Sequence, residues 1–342
     1  MCIKRSWAEP VLKVVQILLD DRDVLGRYEQ ETPFFGSAPT ALLEGFAQLG
    51  SQIEIHVITC TRKNMPAPAK LAENIFYHQV IIPGGYRRTL FIKAIRDVQK
   101  VIRQINPDVV HGQGTEDYPA LCAAFSGYPN CTTIHGNMRQ VARRLGYRPF
   151  FPMVMTACAE WIALRKTNAV VCNSHYTAQC VGKLNPCKPQ IFNAVRSSFF
   201  NEAVRLEDVN APHTVNATKT LLCIGHILPY KNQIALIHAL DTIPDIDLLF
   251  AGRCNPAEPY GQAFLKEISN RSWCTHLGEI KLRDLQHRLK QSHGVIHPTL
   301  EDSFGLAVAE AQGLGVPVAA SAIGGLPDLI THGVTGLLFN PH

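Results

Sequence analysis

Near the carboxyl-terminal end, the sequence joins a buried strand to a helix through a short polar loop. The strand spans Gly294–His297, and the apolar pattern after the loop predicts a helix over Phe304–Leu314. Asp302 or Ser303 can cap that helix. The first amides of a helix lack intrahelical partners, and the helix dipole favours an anion beside them. Here those amides belong to Phe304, Gly305 and Leu306.

Glu310 lies about two turns into the same helix, where its carboxylate could accept hydrogen bonds from ligand hydroxyls. A diphosphate that carries sugars would use the amides and this carboxylate together. The same residues would also suit an ordinary capped helix with a solvated glutamate.

A second segment places a basic side chain at the opening of a helix. A buried strand ends at Gly225, His226 follows, and Lys231 comes a few residues later. A lysine near a helix start opposes the helix dipole, which indicates a ligand, and its ammonium group suits a phosphate. A surface lysine beside a loop is the alternative.

The surrounding sequence alternates short β-branched runs with helical stretches, which predicts parallel sheets covered by helices on both faces. Predicted strands in the first half are Leu12–Leu19, Ile53–Thr59, Ile75–Ile82, Asp108–His111, Cys131–His135 and Ala169–Cys172. Those in the second half are Thr220–Ile224, Asp247–Ala251, Cys274–Leu277, Gly294–His297, Val316–Ala320 and Gly336–Phe339. Predicted helices include Pro39–Leu49, Thr89–Ile105, Ser174–Val181, Asn232–Leu240, Ala257–Ile268 and Arg283–Gln291.

The alternation weakens between Arg196 and Thr218, which indicates a domain boundary. We therefore predict a first domain over 1–196, a linker over 197–218 and a second domain over 219–342. The predicted fold class is α/β, with two Rossmann-like doubly wound lobes that face a cleft. In such sheets ligands bind at the carboxyl ends of the strands.

Composition excludes several classes of protein. The chain has 342 residues, of which 46% are hydrophobic and 18% charged, so disorder, collagen-like repeats and coiled coils are excluded. The net charge of +5 divides into +9 for residues 1–200 and −4 for the rest. A basic half suggests an anionic partner or surface for one lobe, with an ordinary solvated basic face as the alternative.

The termini and cysteines indicate a cytoplasmic chain. Val11–Leu19 is interrupted by polar residues and reads as a first strand rather than a signal peptide. Phe150–Leu164, the most apolar stretch, reads as a buried or interfacial helix rather than a membrane span. The eleven cysteines are scattered without a Cys-x-x-Cys pair, which favours free thiols in a reducing cytosol.

Taken together, these motifs resemble glycosyltransferase family 4, which has the two-lobed GT-B fold. That family carries a glycine–basic–lysine element early in its second lobe. It also carries an acidic residue before Phe-Gly-Leu and a glutamate after seven intervening residues, the spacing of Asp302 and Glu310. The likeness extends over nearly the whole chain. It includes residues 107–112, 133–136, 191–195, 313–321, 323–328 and 333–338.

The resemblance implies roles for individual residues of a donor-binding second domain and an acceptor-side first domain. Glu310 would bind the ribose hydroxyls of a nucleotide-sugar donor, and Lys231 would neutralise the leaving diphosphate. His135 would lie beside the transferred sugar, and Gly36 near the phosphates. Asp302 would hold the sugar and diphosphate together with the amides of Ser303, Phe304, Gly305 and Leu306. The family retains anomeric configuration, and its fold requires no metal.

Several positions depart from the family pattern. The usual first glutamate is Asp302 here, preceded by Glu301, so either carboxylate could be the functional one, although the spacing favours Asp302. The family arginine is His226, which replaces a fixed charge with a titratable one. The glycine-rich loop of the first lobe is reduced to residues 35–38. Because the sequence stops at 340–342, we expect it to lack the family's terminal helices.

The implied reaction is a front-face displacement in which the leaving phosphate accepts the proton of the acceptor. A carboxylate nucleophile is the alternative mechanism. Rival functions are a GT-B sugar epimerase or phosphorylase, and a catalytically weak two-lobed nucleotide-sugar-binding protein. Asp21-Arg-Asp23 could be the metal-binding motif of single-lobed glycosyltransferases, although its position favours a turn at a strand end.

Partner predictions follow from the basic residues and the histidines. Basic residues beside aromatic ones suit an anionic membrane surface, which we predict to be the inner membrane face. The predicted acceptor is a glycan, a lipid-linked sugar or a small molecule. No nucleic-acid-binding motif accompanies the charge. The fourteen histidines lack ligand spacing, and we expect structural roles for His111 and His297. The basic clusters are Arg139, Arg143, Arg144 and Arg148 before Phe150-Phe151, and Arg87, Arg88, Lys93 and Arg96.

Overall fold

The computed structural model describes residues 11–144, 151–201 and 218–341. Its contacts divide the chain into two compact units. The first consists of Met1–Ile134, Met155–Val171 and Val181–Pro189, and the second of His135–Val154, Cys172–Cys180 and Gln190–His342. The chain therefore passes between the units several times. The linker predicted over 197–218 stays a prediction, because residues 202–217 lie outside the described part.

The first unit is built on a seven-stranded sheet with the order β3-β4-β2-β1-β5-β6-β7. Its strands are β1 (Leu12–Leu18), β2 (Ile53–Thr61), β3 (Lys70–Ala72), β4 (Ile75–Ile81), β5 (Val109–Gln113), β6 (Asn130–Ile134) and β7 (Ala169–Cys172). The described registers are parallel, except that β3 pairs antiparallel with β4. A fully parallel sheet was therefore the wrong prediction at this edge, because a strand of three residues is too short to show a period in the sequence.

The helices described before the second sheet follow these strands along the chain. They are α1 (Asp21–Leu25), α2 (Ser37–Gln48), α3 (Ile92–Ile105), α4 (Tyr118–Ala124), α5 (Met138–Arg144), α6 (Phe151–Lys166), α7 (His175–Val181) and α8 (Ser198–Asn201). In α3, Ala94, Val98 and Ile102 recur every four residues and are buried on one face. The helix ends at Asn106, whose φ of 51° lies in the left-handed region, just before Pro107.

The central strand β1 shows why this sheet is covered on both faces. Val15 and Ile17 pack in the same cluster as α3, whereas Val14 and Leu18 pack in a second cluster that includes Leu43 of α2. Successive side chains of a strand point to opposite faces, so both faces of β1 are buried under helices. The prediction of a doubly covered sheet is confirmed here.

The second unit carries a six-stranded sheet with the order β10-β9-β8-β11-β12-β13 and parallel registers. Its strands are β8 (Lys219–Ile224), β9 (Ile246–Ala251), β10 (Cys274–Gly278), β11 (Gly294–His297), β12 (Val318–Ser321) and β13 (Leu337–Phe339). Its later helices are α9 (Gln233–Leu240), α10 (Pro259–Ser269), α11 (Leu282–Gln291) and α12 (Leu306–Gly313). The two Rossmann-like sheets confirm the predicted α/β class.

Two findings concern the predictions that no segment spans a membrane and that the cysteines are free thiols. Within the described residues, no helix combines the length and apolarity needed to cross a bilayer. Each described cysteine, from Cys60 to Cys274, is a free thiol. Arg148 and Phe150 of the predicted basic and aromatic cluster lie outside the described residues.

The structure contradicts a metal-binding role for the Asp21-Arg-Asp23 segment, which forms α1. The carboxylate of Asp23 is buried and accepts hydrogen bonds from the backbone N–H and Nε of Arg62, at 2.9 and 3.0 Å. Arg22 is fully buried in an ion pair with Asp20, 2.7 Å between Nη2 and Oδ2. In the described parts of the chain, no cluster of three or more His, Cys, Asp and Glu side chains has the arrangement of a metal site. The segment is a structural ion-pair cluster.

Replacing Arg22 should therefore destabilise the first unit strongly. Arg22→Met leaves the Asp20 carboxylate buried, with only Tyr77 Oη (3.0 Å) and weaker backbone contacts in place of its cation. We expect the free energy of unfolding to fall by about 3–5 kcal/mol, measured by chemical denaturation. The control Lys93→Met removes a half-exposed ion pair with Asp97 and should cost at most about 1 kcal/mol. Equal losses in the two variants would contradict this interpretation.

Candidate functional site

An ion pair between Lys231 and Asp302 forms the centre of the candidate site. Lys231 ends a short 3-10 turn after β8, and its Nζ lies 2.7 Å from Oδ2 of Asp302. Both side chains are largely buried. Burial alone would raise the pKa of Asp302, but Lys231 and His297 outweigh it and hold that pKa far below its usual range. The pair is therefore fully charged at neutral pH.

The protein itself supplies further hydrogen bonds to the Asp302 carboxylate. Oδ2 also lies 2.9 Å from Nε2 of the buried His297. Oδ1 accepts from the backbone N–H groups of Phe304 and Gly305, at 3.3 and 2.9 Å. The Asp302 carboxylate thus already binds two of the amides that the sequence predicts to bind an anionic ligand.

The helix after this loop starts later than predicted. It begins at Leu306, with Gly305 as its N-cap at a φ of 93° and no side-chain cap. Asp302 binds amides before the helix, and Ser303 donates its Oγ–H to the carbonyl of His135 instead. The prediction that Asp302 or Ser303 caps a helix from Phe304 is therefore wrong. The left-handed Gly305 turns the chain before the helix can form, and sequence periodicity does not show this turn.

Glu301 and Asp302 lie in different surroundings. The Tyr176 Oη–H donates to the buried Glu301 carboxylate, at 2.8 Å from both oxygens. Asp302, in contrast, contacts Lys231. Of the two acids left open by the sequence, the structure places Asp302 beside the ammonium group.

Two glycines hold the 301–305 loop in place. A Cβ on Gly324 would lie 2.0 Å from the carbonyl oxygen of Asp302, and one on Gly325 would lie 2.3 Å from that of Ser303. The N–H of Gly325 donates to the Asp302 carbonyl at 3.0 Å. Ser174 adds a 2.6 Å hydrogen bond to the Ser303 carbonyl. The loop is thus fixed by backbone-to-backbone packing, so its charged side chain is preorganised.

His135 joins this loop although it lies far away in sequence. Its carbonyl accepts from Ser303, and its side chain hydrogen-bonds with that of Asn193. Burial lowers the pKa of His135 to about 4. The imidazole is therefore neutral at physiological pH and can donate or accept a hydrogen bond there.

Glu310 presents a carboxylate without a hydrogen bond. It lies on α12, is 6% exposed, and receives no hydrogen bond on its side chain from the described residues. The nearest cation is Arg196, whose Nη2 lies 3.9 Å from Oε1. Burial raises the pKa of Glu310 to about 7, although Arg196 opposes the shift. A buried carboxylate with open acceptor positions is costly unless a ligand supplies donors.

Gly225 and His226 follow β8. Gly225 has a φ of 148°, and its carbonyl oxygen would be 2.0 Å from a Cβ on Gly252, so two backbones approach closely here. Burial and the neighbouring Arg253 lower the pKa of His226. His226 is therefore neutral near pH 7, so it does not replace the fixed positive charge of the family arginine.

Gly36 belongs to the first unit, where it is the N-cap of α2. Its carbonyl accepts from the N–H of Thr40 at 3.0 Å. The remaining predicted residues belong to the second unit. Within it, direct contacts connect Lys231 with Asp302, and Ser303 with His135.

Sequence reasoning missed three side chains of this site. The sequence predicts a structural role for His297, yet its Nε2–H donates a hydrogen bond to the Asp302 carboxylate. Tyr176 and Arg196 contact the acids Glu301 and Glu310 from distant segments. The position of His297 at the end of β11, five residues before Asp302, was the one available signal. The other two contacts have no local signature.

The two sheets and the charged loop before α12 define a GT-B glycosyltransferase fold. Residues 40–194 match the family model for Glycosyltransferase Family 4, and residues 206–342 match the model for Glycosyl transferases group 1. Together the two models cover most of the chain, and both describe glycosyl transferases, which confirms the resemblance to glycosyltransferase family 4.

Curated relatives match over part of their length. The D-inositol 3-phosphate glycosyltransferase of Mycobacterium sp. (strain KMS) is 34% identical over 123 residues, which are 35% of this chain and 28% of the relative. The one from Mycolicibacterium gilvum (strain PYR-GCK) is 27% identical over 196 residues, 55% of this chain and 44% of the relative. The chain thus spans less than half the length of these relatives.

Solved structures share the fold across nearly the whole chain. Sucrose-phosphate synthase from Thermosynechococcus elongatus has a TM-score of 0.74 at 18% identity, covering 97% of this chain and 86% of that one. HepE of Anabaena, in complex with UDP and glucose, has a TM-score of 0.66 at 16% identity, with 96% and 86% coverage. At these identities the likeness shows the fold alone.

Proposed function

We propose that this protein is a retaining glycosyltransferase that moves a hexosyl or related sugar from a nucleotide-diphosphate sugar to an acceptor. The observation that carries the proposal is the second-unit site, where the largely buried Lys231 ammonium pairs with the loop before α12 and the buried Glu310 carboxylate on α12 receives no hydrogen bond from the described residues. The ammonium of Lys231 suits the diphosphate, and the open acceptor positions of Glu310 suit ribose hydroxyls. Glu310 lies about 7 Å along the helix from Gly305.

Charge on the leaving diphosphate grows as the glycosidic bond breaks, and preorganised donors stabilise it. The Lys231 ammonium has three N–H donors, and Asp302 takes one of them in the free protein. Asp302 and His297 thus position the ammonium while donors remain for phosphate oxygens. The leaving phosphate would accept the proton of the attacking hydroxyl on the same face of the sugar, and this scheme requires no metal ion.

Neutral His135 and the 301–305 loop, which carries Ser303, would lie beside the transferred sugar. His135 is held to that loop by its carbonyl, and its low pKa keeps the ring uncharged. A neutral imidazole can hydrogen-bond a sugar hydroxyl without adding positive charge next to a developing oxocarbenium ion. Gly36 at the start of α2 stays a predicted phosphate-side residue on the family resemblance alone.

A nucleotide-sugar panel tests this function. Purified protein is screened by thermal shift with UDP-, GDP- and ADP-sugars, and donors that stabilise it are then tested with acceptors. Because curated relatives are D-inositol 3-phosphate glycosyltransferases, inositol phosphates belong in the acceptor panel with glycans and lipid-linked sugars. We expect acceptor-dependent release of nucleoside diphosphate and a product with the donor's anomeric configuration.

The same panel separates the alternatives. Sugar conversion without an acceptor would indicate an epimerase, and a requirement for inorganic phosphate would indicate a phosphorylase. Tight nucleotide binding without turnover on any acceptor would favour a binding protein. Both matching family models describe glycosyl transferases, which supports transfer over these rivals.

We further propose that the α3 surface docks on an anionic membrane at the cytoplasmic face. Leu90 and Ile92, 56% and 50% exposed, lie at the start of this surface. Of its six exposed basic residues, two pair with Asp97, and Arg87 pairs with Asp117. Exposed aliphatic side chains beside clustered cations suit a bilayer with anionic headgroups. The basic residues are Arg87, Arg88, Lys93, Arg96, Lys100 and Arg103.

Liposome sedimentation tests this surface. We expect binding to phosphatidylglycerol vesicles at low salt, weak binding to phosphatidylcholine, and at least about a tenfold loss in Arg96→Glu/Arg103→Glu, since each cation near the membrane contributes about 1 kcal/mol. The control Lys266→Glu/Arg283→Glu makes the same net charge change on the second unit. Equal losses in both double variants would contradict a specific α3 surface.

A further inference from the structure

The carboxylate of Glu310 faces a cation that no sequence motif points to. Nη2 of Arg196 lies 3.9 Å from Oε1 of Glu310, with side chains 18% and 8% exposed. That distance is too long for a hydrogen bond, so the carboxylate keeps its acceptor positions. It is short enough for a strong electrostatic effect in a largely buried setting.

Packing fixes the position of Arg196 relative to α12. The N–H of Phe199 donates to the carbonyl of Arg196 at 3.0 Å, and the fully buried Phe199 ring packs in the core cluster of α12. A Cβ on Gly313 of α12 would lie 3.5 Å from Phe199. Ser198, which precedes Phe199, accepts a 2.9 Å hydrogen bond from Gln286 of α11. Arg196 is therefore held beside the helix that carries Glu310.

Few other charged groups act on this carboxylate. Neither α12 nor α8 carries another titratable side chain, and neither does β12. The one titratable group of β11, His297, is bound to Asp302. Among the described residues, Arg196 is thus the charged group that offsets the burial of Glu310.

We infer that Arg196 is a positioning residue that keeps Glu310 ionised, so that the affinity of this site for a nucleotide depends on pH near neutrality through the Arg196–Glu310 pair. This inference rests on the proposed function, because it assumes that Glu310 accepts hydrogen bonds from ribose hydroxyls. An ionised carboxylate accepts such bonds strongly, whereas a protonated one loses acceptor strength. The pKa of about 7 places that change in the neutral range.

Calorimetric titration with UDP from pH 5.5 to 9 tests the inference. Glu310→Gln measures the pH dependence of the UDP phosphate itself, which is then subtracted. We expect wild-type affinity to rise with pH through a midpoint near 7 and to level off only above that midpoint, once Glu310 is fully ionised. In Arg196→Gln the midpoint should move to higher pH, with several-fold weaker binding at pH 7 and recovery toward the wild-type value at pH 9.

Two further variants make the test decisive. Arg196→Lys keeps the positive charge and should restore most of the wild-type pH profile. Arg196→Gln combined with Glu310→Gln should match Glu310→Gln alone, because the arginine acts through the glutamate. A uniform loss of affinity at every pH in Arg196→Gln, or an unchanged midpoint, would overturn the inference. Failure of the wild type to bind any nucleotide would instead refute the proposed function.

Discussion

Lys231→Ala should lower the rate of sugar transfer by about 10²–10³-fold, the usual cost of one preorganised donor to a developing anion. Lys231 is largely buried and paired with Asp302, so its ammonium group is fixed in position. The loss should appear mainly in kcat, because charge on the diphosphate grows as the bond breaks. Transfer is measured as acceptor-dependent release of nucleoside diphosphate with the best donor.

Stability must be measured in the same variant, because Lys231→Ala also leaves Asp302 without its cation. His297 and the amides of Phe304 and Gly305 still hydrogen-bond to that carboxylate. The variant should therefore fold at a reduced melting temperature. The control Lys266→Ala removes an exposed lysine of α10 and should keep both rate and stability. Near-normal turnover in Lys231→Ala would refute the proposed role of the ammonium group.

Gly324→Ala should both destabilise the second unit and abolish nucleotide binding. Its φ of 58° already costs a non-glycine residue about 1–2 kcal/mol. In addition, the new Cβ would lie 2.0 Å from the carbonyl oxygen of Asp302, so the loop must move. We expect the free energy of unfolding to fall by about 2–5 kcal/mol in total. Chemical denaturation and calorimetry with UDP measure the two effects.

Gly333→Ala is the matched control for this substitution. Gly333 also has a left-handed φ, 75°, but a Cβ there meets no atom within 4 Å. It should therefore show the conformational cost alone, about 1–2 kcal/mol, with unchanged nucleotide binding. If both glycine variants lost stability equally and both still bound UDP, backbone contact would not be what positions the Asp302 loop.

Much of the fold was predictable because its signals are local. The buried runs of β1 and β11, the four-residue period of α3 and its stop at Asn106 depend on residues close together in the chain. The three-residue strand β3 and the left-handed turn at Gly305 were not predictable in this way. They depend on pairing with a neighbour and on backbone geometry that composition does not encode.

For the site, the sequence by itself determined the types and the spacing of the charged residues. It places a lysine a few residues after Gly225, one acid on the loop before the helix and a second acid on that helix. Only the tertiary structure decided that Asp302 rather than Glu301 meets Lys231, and that Arg196 faces Glu310. It also decided, through burial, that His226 and His135 are neutral while Glu310 titrates near 7. The physical reason is that pairing and desolvation depend on strand order and packing between residues far apart in the chain, whereas helix and strand periodicity depends on near neighbours.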